Sequence, residues 1–383
     1  MHGPAILSQG FRPFFLLAGI WAPLSMGLFI AMYQGHIALP TAFDAVAWHY
    51  HEMLFGYVAA VLAGFALTAI PNWTGRLPLQ GAPLLGLVLL WLAGRVAVAV
   101  SALIGVWAAA AIDLLFLAAL AAVFLREIVE GRNWRNLPVV GAVILFFLCN
   151  VLIHYEALGL IDSGGRAQKL SIAVPIVLIT LIGGRIIPSF SRNWLARHGA
   201  PRLPKSFGTF DHLTLVATLG TLAWWAIAPL GPVSGGLAAI AAALNLVRLV
   251  RWQGLATRTE PLLWAMHLGY LWIPAGLVLL ALASWMESVS HTGAVHALTA
   301  GAIGTMTLAV MSRATLGHTG QPLHAGTGLT LAYLLVTAAT VLRIAASLWG
   351  GLFMPLVLAA AVAWIAAFLF YLGVCGPVLV KRH

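Results

Sequence analysis

The chain has 383 residues, 62% hydrophobic and 8% charged, with 20 basic against 10 acidic side chains. Soluble domains carry roughly 25% charged and roughly 45–50% apolar residues, so a soluble fold is excluded and an integral membrane protein is indicated. A porin-like barrel is excluded because its strands alternate polar and apolar, and Cys149 and Cys375 form no CxxC or CxxCH pattern, which removes disulfide frameworks, zinc ribbons and covalent c-type haem.

The start, MHGPAILSQGFRPFF, lacks the basic, apolar and small-residue succession of a cleavable signal peptide. Apolar runs follow at about 14–33, 42–70, 82–100, 106–126, 137–158, 168–187, 212–229, 233–250, 261–285, 293–316, 327–347 and 351–376. They predict an all-α, polytopic membrane protein: one bundle of about twelve transmembrane helices in a single domain over 1–383. Thr41 and Asp44 form a capping pattern opening the second run, Thr259 with Pro261 opens the ninth, and Gly317 closes the tenth. With both termini cytoplasmic, 16 of the 20 basic residues face the cytoplasm, among them Arg12, Arg76, Arg126, Arg248 and Arg313. Arg95, Arg166, Lys169 and Arg343 fall toward the other side. The +10 charge therefore belongs to cytoplasmic loops, and no nucleic-acid partner is expected. No internal repeat is apparent, which disfavours an inverted-repeat transporter plan.

Thirteen histidines against ten carboxylates is an unusual balance for so apolar a chain. Polar groups within a membrane are costly, so each is a functional candidate. His49 and His51, then His154, then His291 and His296 lie near the outer ends of three predicted helices and share a level. Neutral imidazole is the commonest nitrogen ligand for haem iron, copper and zinc, and bundles build metal sites from inward ligands on facing helices. In WHYHEM, His49 and His51 stand about 200° apart around a helix, so they serve two centres, or one ligates while the other supports. Glu52 beside them orients a ligand, carries a proton or pairs with an arginine; the bland alternative is an aromatic belt of Trp48, His49 and Tyr50. His267 and His318 lie toward the cytoplasm, as ligands of a separate cofactor or as a backbone-bonded and a loop histidine. His2, His198, His212, His324 and His383 read as solvated.

Arg95 and Asp113 sit at similar depths on adjacent predicted helices. They form a structural ion pair, or Arg95 and Arg343 anchor haem propionates while Asp113 or Glu52 relays protons. GGRIIPSFSRN, residues 183–193, puts Arg185 and Arg192 at the inner surface, and GAIGTM at 301–306 reads as close helix packing. No Walker motif, no GxGxxG after a strand and no nucleophile–His–Asp arrangement is present.

On these residues the chain resembles the NnrS family of bacterial inner-membrane proteins. The segments that carry the resemblance are QGFRPFFLLAG at 9–19, WHYHEMLFGYVAAVLAGFALTAIPNWTGR at 48–76, GGRIIPSFSRN at 183–193, HLGYLWIPAGL at 267–277 and HALTAGAIGTMTLAVMSRATLGHTG at 296–320. The resemblance implies haem b, copper and a link to nitric oxide metabolism and nitrosative-stress defence, with the family's histidine motifs on His49, His51, His267, His296 and His318. The spacing His49-Tyr50-His51 is also similar to the paired haem ligands of haem–copper oxidases and NO reductases. No adjacent His-His pair and no His-Pro-Glu-Val-Tyr element accompanies it. The expectation is a haem–copper protein in the bacterial inner membrane that binds NO and reduces it to N2O toward the periplasm. His49, His51 and His296 are its first ligands, His154 a further one, and Glu52, Asp113 and Glu156 the proton suppliers. Electrons come from a quinol or an electron-donor protein. The alternatives are a non-catalytic NO or haem binder and a transporter of a metal or nitrogen compound.

Overall fold

The computed structural model describes residues 4–381, and among them there are helices and no strands. Twelve long helices follow in order: α1 Phe11–Tyr33, α2 Ala45–Thr74, α3 Ala82–Ala99, α4 Val106–Glu130, α5 Trp134–Ala157, α6 Arg166–Arg197, α7 Thr209–Ile227, α8 Pro232–Val250, α9 Pro261–Trp285, α10 His291–His318, α11 Gly326–Leu348 and α12 Gly350–Val380. Eleven of them are long and apolar enough to cross a membrane. The one that falls short is α7, where a twelfth span was expected, because Asp211, His212 and four threonines dilute its 19 residues.

Local chemistry fixes the helix ends. The Asp44 carboxylate accepts from Val46 and Ala47 backbone N–H groups, both at 2.9 Å, and so opens α2. Glu260, not Thr259, caps α9, with its side chain bonded to Leu262 N and Pro261 in the first turn. Gly317 lies inside α10, which runs to His318 ahead of Gly320 at φ +69°. A side chain there would be strained, whereas glycine adopts the left-handed turn freely.

Three π-helical stretches interrupt the long helices: Glu52–Val58, Ile179–Gly183 and Ala297–Gly304. A π turn inserts an extra residue and disturbs the carbonyl ladder. Side chains from neighbouring helices answer part of this. Trp91 Nε1 donates to Gly56 O at 2.9 Å, and Arg248 Nη1 donates to Thr180 O at 2.8 Å.

The chain packs as two compact units. The first holds the residues up to Ser171, the segment Ala314–Gln321 and the stretch from Tyr371. Within it Arg12, expected to face the cytoplasm, is buried and donates to the backbone oxygens of Leu379 and Lys381, which satisfies the open carbonyl end of α12. At one end of this unit Arg76 pairs with Glu127 and Glu130, each at 2.5 Å, and Arg126 with Glu127 at 2.6 Å.

The second unit comprises Ile172–Arg313 and Pro322–Phe370. Its core contains a polar network that buries Arg248, expected among the cytoplasmic charges. Arg248 is 0% exposed and donates to Asp211 Oδ1 at 2.7 Å and to Tyr270 Oη at 3.0 Å. Tyr270 donates onward to Asn245 Oδ1 at 2.6 Å. Gly184 lets the guanidinium sit against the α6 backbone, since a Cβ there would overlap Arg248. The polar threonines of α7 belong to the same design, with Thr218 Oγ1 accepting from Asn245 Nδ2 at 2.8 Å.

Candidate metal centre

In the first unit α2 and α4 start, and α3 and α5 end, at the same level. Four of these helices place one or two polar side chains within about two turns of that level. His51 and Glu52 come from α2, Arg95 from α3, Asp113 from α4, and Asn150 and His154 from α5. Asn150 and His154 are four apart and therefore share a helix face. His51 and Glu52 are adjacent and diverge on a regular helix, but the π stretch begins between them and both turn inward. All six residues are at most 4% exposed.

Every contact in the cluster is specific. His51 Nδ1 lies 3.0 Å from Glu52 Oε1, and His51 Nε2 lies 3.1 Å from Asn150 Oδ1 and 3.3 Å from Asp113 Oδ2. His154 Nε2 approaches the same Asp113 Oδ2 at 2.9 Å, and Asn150 Nδ2 donates to it at 2.8 Å. Arg95 Nη1 donates to both Glu52 oxygens at 2.7 Å, and Nη2 pairs with Asp113 Oδ1. Phe43 and Phe55 pack against the His51 ring at 5.2 and 5.3 Å and exclude water.

The donor set is one that could hold a metal ion. His51, Asp113 and His154 each offer one ligand atom, all within 4.8 Å of one another. Around an ion at about 2.1 Å a tetrahedron has edges of about 3.4 Å. The two separations from Asp113 Oδ2, 2.9 and 3.3 Å, lie near that edge, and the third lies within 4.8 Å. Two imidazoles and a carboxylate suit a first-row transition ion such as copper. The His51 Nδ1–Glu52 contact is the support a ligating imidazole ordinarily has, and Arg95 holds Glu52 in turn. Two carboxylates against one guanidinium leave an excess negative charge when the imidazoles are neutral, which favours a bound cation. A haem does not fit these three atoms. Its iron takes axial donors on opposite faces of a plane, and convergent donors leave that plane no room.

The ion pair expected between Arg95 and Asp113 is therefore present, with Glu52 joined to it. His49 points elsewhere, as the 200° spacing requires, and stacks on Phe29 at 4.0 Å. His318 lies against Phe11 at 5.5 Å, and Arg343 lies over Phe353. His267, His291 and His296 belong to the second unit. There His291 Nε2 accepts from Trp225, and His296 Nδ1 faces Thr292 O at 2.9 Å. His267 Nε2 meets Ser191 Oγ at 2.8 Å, while its Nδ1 is buried without a hydrogen-bond partner beside Gly254, where a Cβ would come within 2.7 Å. One nitrogen held and one unspent is a pattern that fits a cofactor ligand. Glu156 accepts from Ser163 N at 3.0 Å, outside the cluster. Sequence reading missed Asn150; its signal was an amide in an apolar run, one turn ahead of His154.

Fold and site together define a polytopic α-helical membrane protein with a buried histidine–carboxylate cluster of metal-ligand geometry. A profile of the family described as NnrS protein matches residues 5–382, nearly the whole chain, and no curated protein matches it. The chain belongs to the NnrS family, and with that membership comes the link to nitric oxide that the resemblance implied.

Proposed function

We propose that the protein is a haem- and copper-containing enzyme of the bacterial inner membrane that binds nitric oxide and reduces it to N2O. The observation that carries this reading is the enclosed His51, Asp113 and His154 cluster. His51, His154 and Asp113 would hold the copper ion, with Asn150 as a neighbouring oxygen donor, and His267 would be a cofactor ligand through Nδ1, its Nε2 being held by Ser191, with His296 a further candidate. The metals would supply a place for NO and a route for electrons.

The overall change is 2 NO + 2 e− + 2 H+ → N2O + H2O, with the electrons taken from a quinol or an electron-donor protein. Glu52 would relay protons, since it meets His51 Nδ1 at 3.0 Å on the side away from the metal ligands; Asp113 would take that part only in a form in which it does not hold the metal. Arg95 keeps both carboxylates in place and balances their charge. The cluster lies at the opposite end of α2 to α5 from the Arg76, Arg126 and Glu127 group. With α7 counted as a crossing and both termini cytoplasmic, the positive-inside rule puts the cluster toward the periplasm.

The test is haem and copper analysis of detergent-purified protein, followed by NO addition to the reduced form with headspace N2O measured. Copper, a haem b spectrum that shifts with NO, and catalytic N2O support the proposal. Stoichiometric NO binding without N2O makes the protein a binder that serves other NO enzymes. Absence of both cofactors, with flux in vesicles, makes it a transporter.

A further inference from the structure

The eleven residues that join α1 to α2, QGHIALPTAFD at 34–44, lie at the end of the first unit that holds the cluster. Phe43 is the one buried residue among them; the rest are exposed or half-exposed. Its ring centroid is 5.2 Å from that of His51 and 5.8 Å from that of His154, edge-on to the latter. Those two imidazoles are themselves 5.2 Å apart. One phenyl ring therefore bears on both histidines whose nitrogens converge with Asp113.

The segment is attached in a way that lets it part from the bundle. Gly35 at φ +73° makes the turn out of α1, a conformation that glycine adopts without strain. At the other end Asp44 caps α2 through Val46 and Ala47, so α2 keeps its start wherever the segment lies. Between these ends the fastening is the turn that joins α3 to α4. Ser101 Oγ accepts from Ala42 N at 2.9 Å and lies 3.2 Å from Thr41 Oγ1, and Ala102 N donates to Pro40 O at 3.0 Å.

The other walls are made of helix. Phe55, within α2, packs on His51 from the inner side, with Phe146 of α5 against it at 4.8 Å. Trp91 of α3 lies against the Arg95 guanidinium and meets Trp21 of α1 edge-on at 5.8 Å. Moving any of these rings far displaces a membrane-spanning helix, whereas moving Phe43 displaces a connection. Connections open at lower free energy than packed helices. Six residues at most 4% exposed cannot exchange a ligand without some such opening.

We infer that residues 34–44 are a strap with Phe43 as its plug, closing the way into the cluster and setting what reaches it; this rests on the metal-centre reading above and names its entrance. Residues 37–43, IALPTAF, carry no charge. With the strap fastened, a swing of the Phe43 side chain passes neutral molecules the size of a diatomic gas. A hydrated ion or a chelator requires Ser101 to let go. Phe43 is a selectivity residue for the site and not a ligand, since a phenyl ring carries no donor atom.

The test uses the full chain in detergent, with two readouts. The first needs no metal: diethyl pyrocarbonate is added to metal-stripped protein, and modification of His51 and His154 is followed by peptide mass spectrometry. Exposed His36 is the reagent control and buried His267 the folding control. Phe43→Ala is expected to speed modification of His51 and His154 about tenfold or more, and Ser101→Ala by a smaller factor. Phe43→Leu, which keeps most of the volume, should stay near wild type. Thr41→Cys combined with Ser101→Cys, once oxidised, should slow modification below wild type and recover on reduction. The second readout is the rate at which copper-loaded protein yields its ion to a chelator, which should follow the same order. Equal rates in wild type and Phe43→Ala would overturn the inference. So would a parallel rise at His267, which reports general loosening. Wild-type protein that takes up no copper, with the order of histidine modification as expected, would leave the strap standing and remove the metal reading alone.

Discussion

Charge counting in the buried cluster ranks three substitutions. Arg95, Glu52 and Asp113 are 4%, 0% and 2% exposed, so none can be solvated in place when a partner is lost. Asp113→Asn keeps the shape and leaves Arg95 paired with Glu52 at 2.7 Å; Glu52→Gln leaves Arg95 paired with Asp113. Arg95→Met leaves two carboxylates in the same enclosure with only the His51 and His154 imidazoles to face them. Breaking a buried pair by removing a partner costs about 3–5 kcal/mol. The carboxylate substitutions should fall near the lower figure, and Arg95→Met should reach or pass the upper one. Combining Arg95→Met with Glu52→Gln and Asp113→Asn removes all three charges, and the triple variant should be more stable than Arg95→Met alone. Thermal unfolding of the metal-stripped protein in detergent, followed by aggregation or tryptophan fluorescence, gives the order. The reasoning is refuted if Arg95→Met melts no lower than Asp113→Asn, or if the triple variant is worse than Arg95→Met.

Other outcomes follow from contacts already described. His154→Ala should deplete copper as His51→Ala does, because each removes one of three convergent donors; retention of full copper by both variants removes the cluster from the metal site. Ser191→Ala takes away the hydrogen bond to His267 Nε2 and leaves the ring with two unpaired buried nitrogens, a cost of about 1–3 kcal/mol on a melting curve. Gly184→Ala drives a methyl into the Arg248 guanidinium and should cost about 1–3 kcal/mol, with Gly220→Ala, which meets open space, as the silent control. Equal melting of these two variants would show that α6 and Arg248 are not in close contact.

Composition alone determined that this chain is a polytopic helical membrane protein, because a bilayer admits helices built from long apolar runs and little else at this hydrophobicity. Most run boundaries needed only small adjustment for the same reason. Sequence also singled out five of the six cluster residues, since a charge or imidazole in an apolar run is conspicuous: His51, Glu52, Arg95, Asp113 and His154. What it could not settle was which polar residues meet. The common level on the outer side grouped His49 with His51, yet helix phase sends His49 onto Phe29 and brings Asn150 in from α5. Arg248 read as a loop charge because it closes an apolar run, and only the packing of α6, α7 and α9 around it shows a buried ion pair. The π stretches were invisible as well. A π turn arises when tertiary contacts take up the backbone groups that the α ladder gives away, as Trp91 does for Gly56, and no local propensity encodes it. The sequence named the chemical groups; the crossing of helices far apart in the chain decided which of them meet.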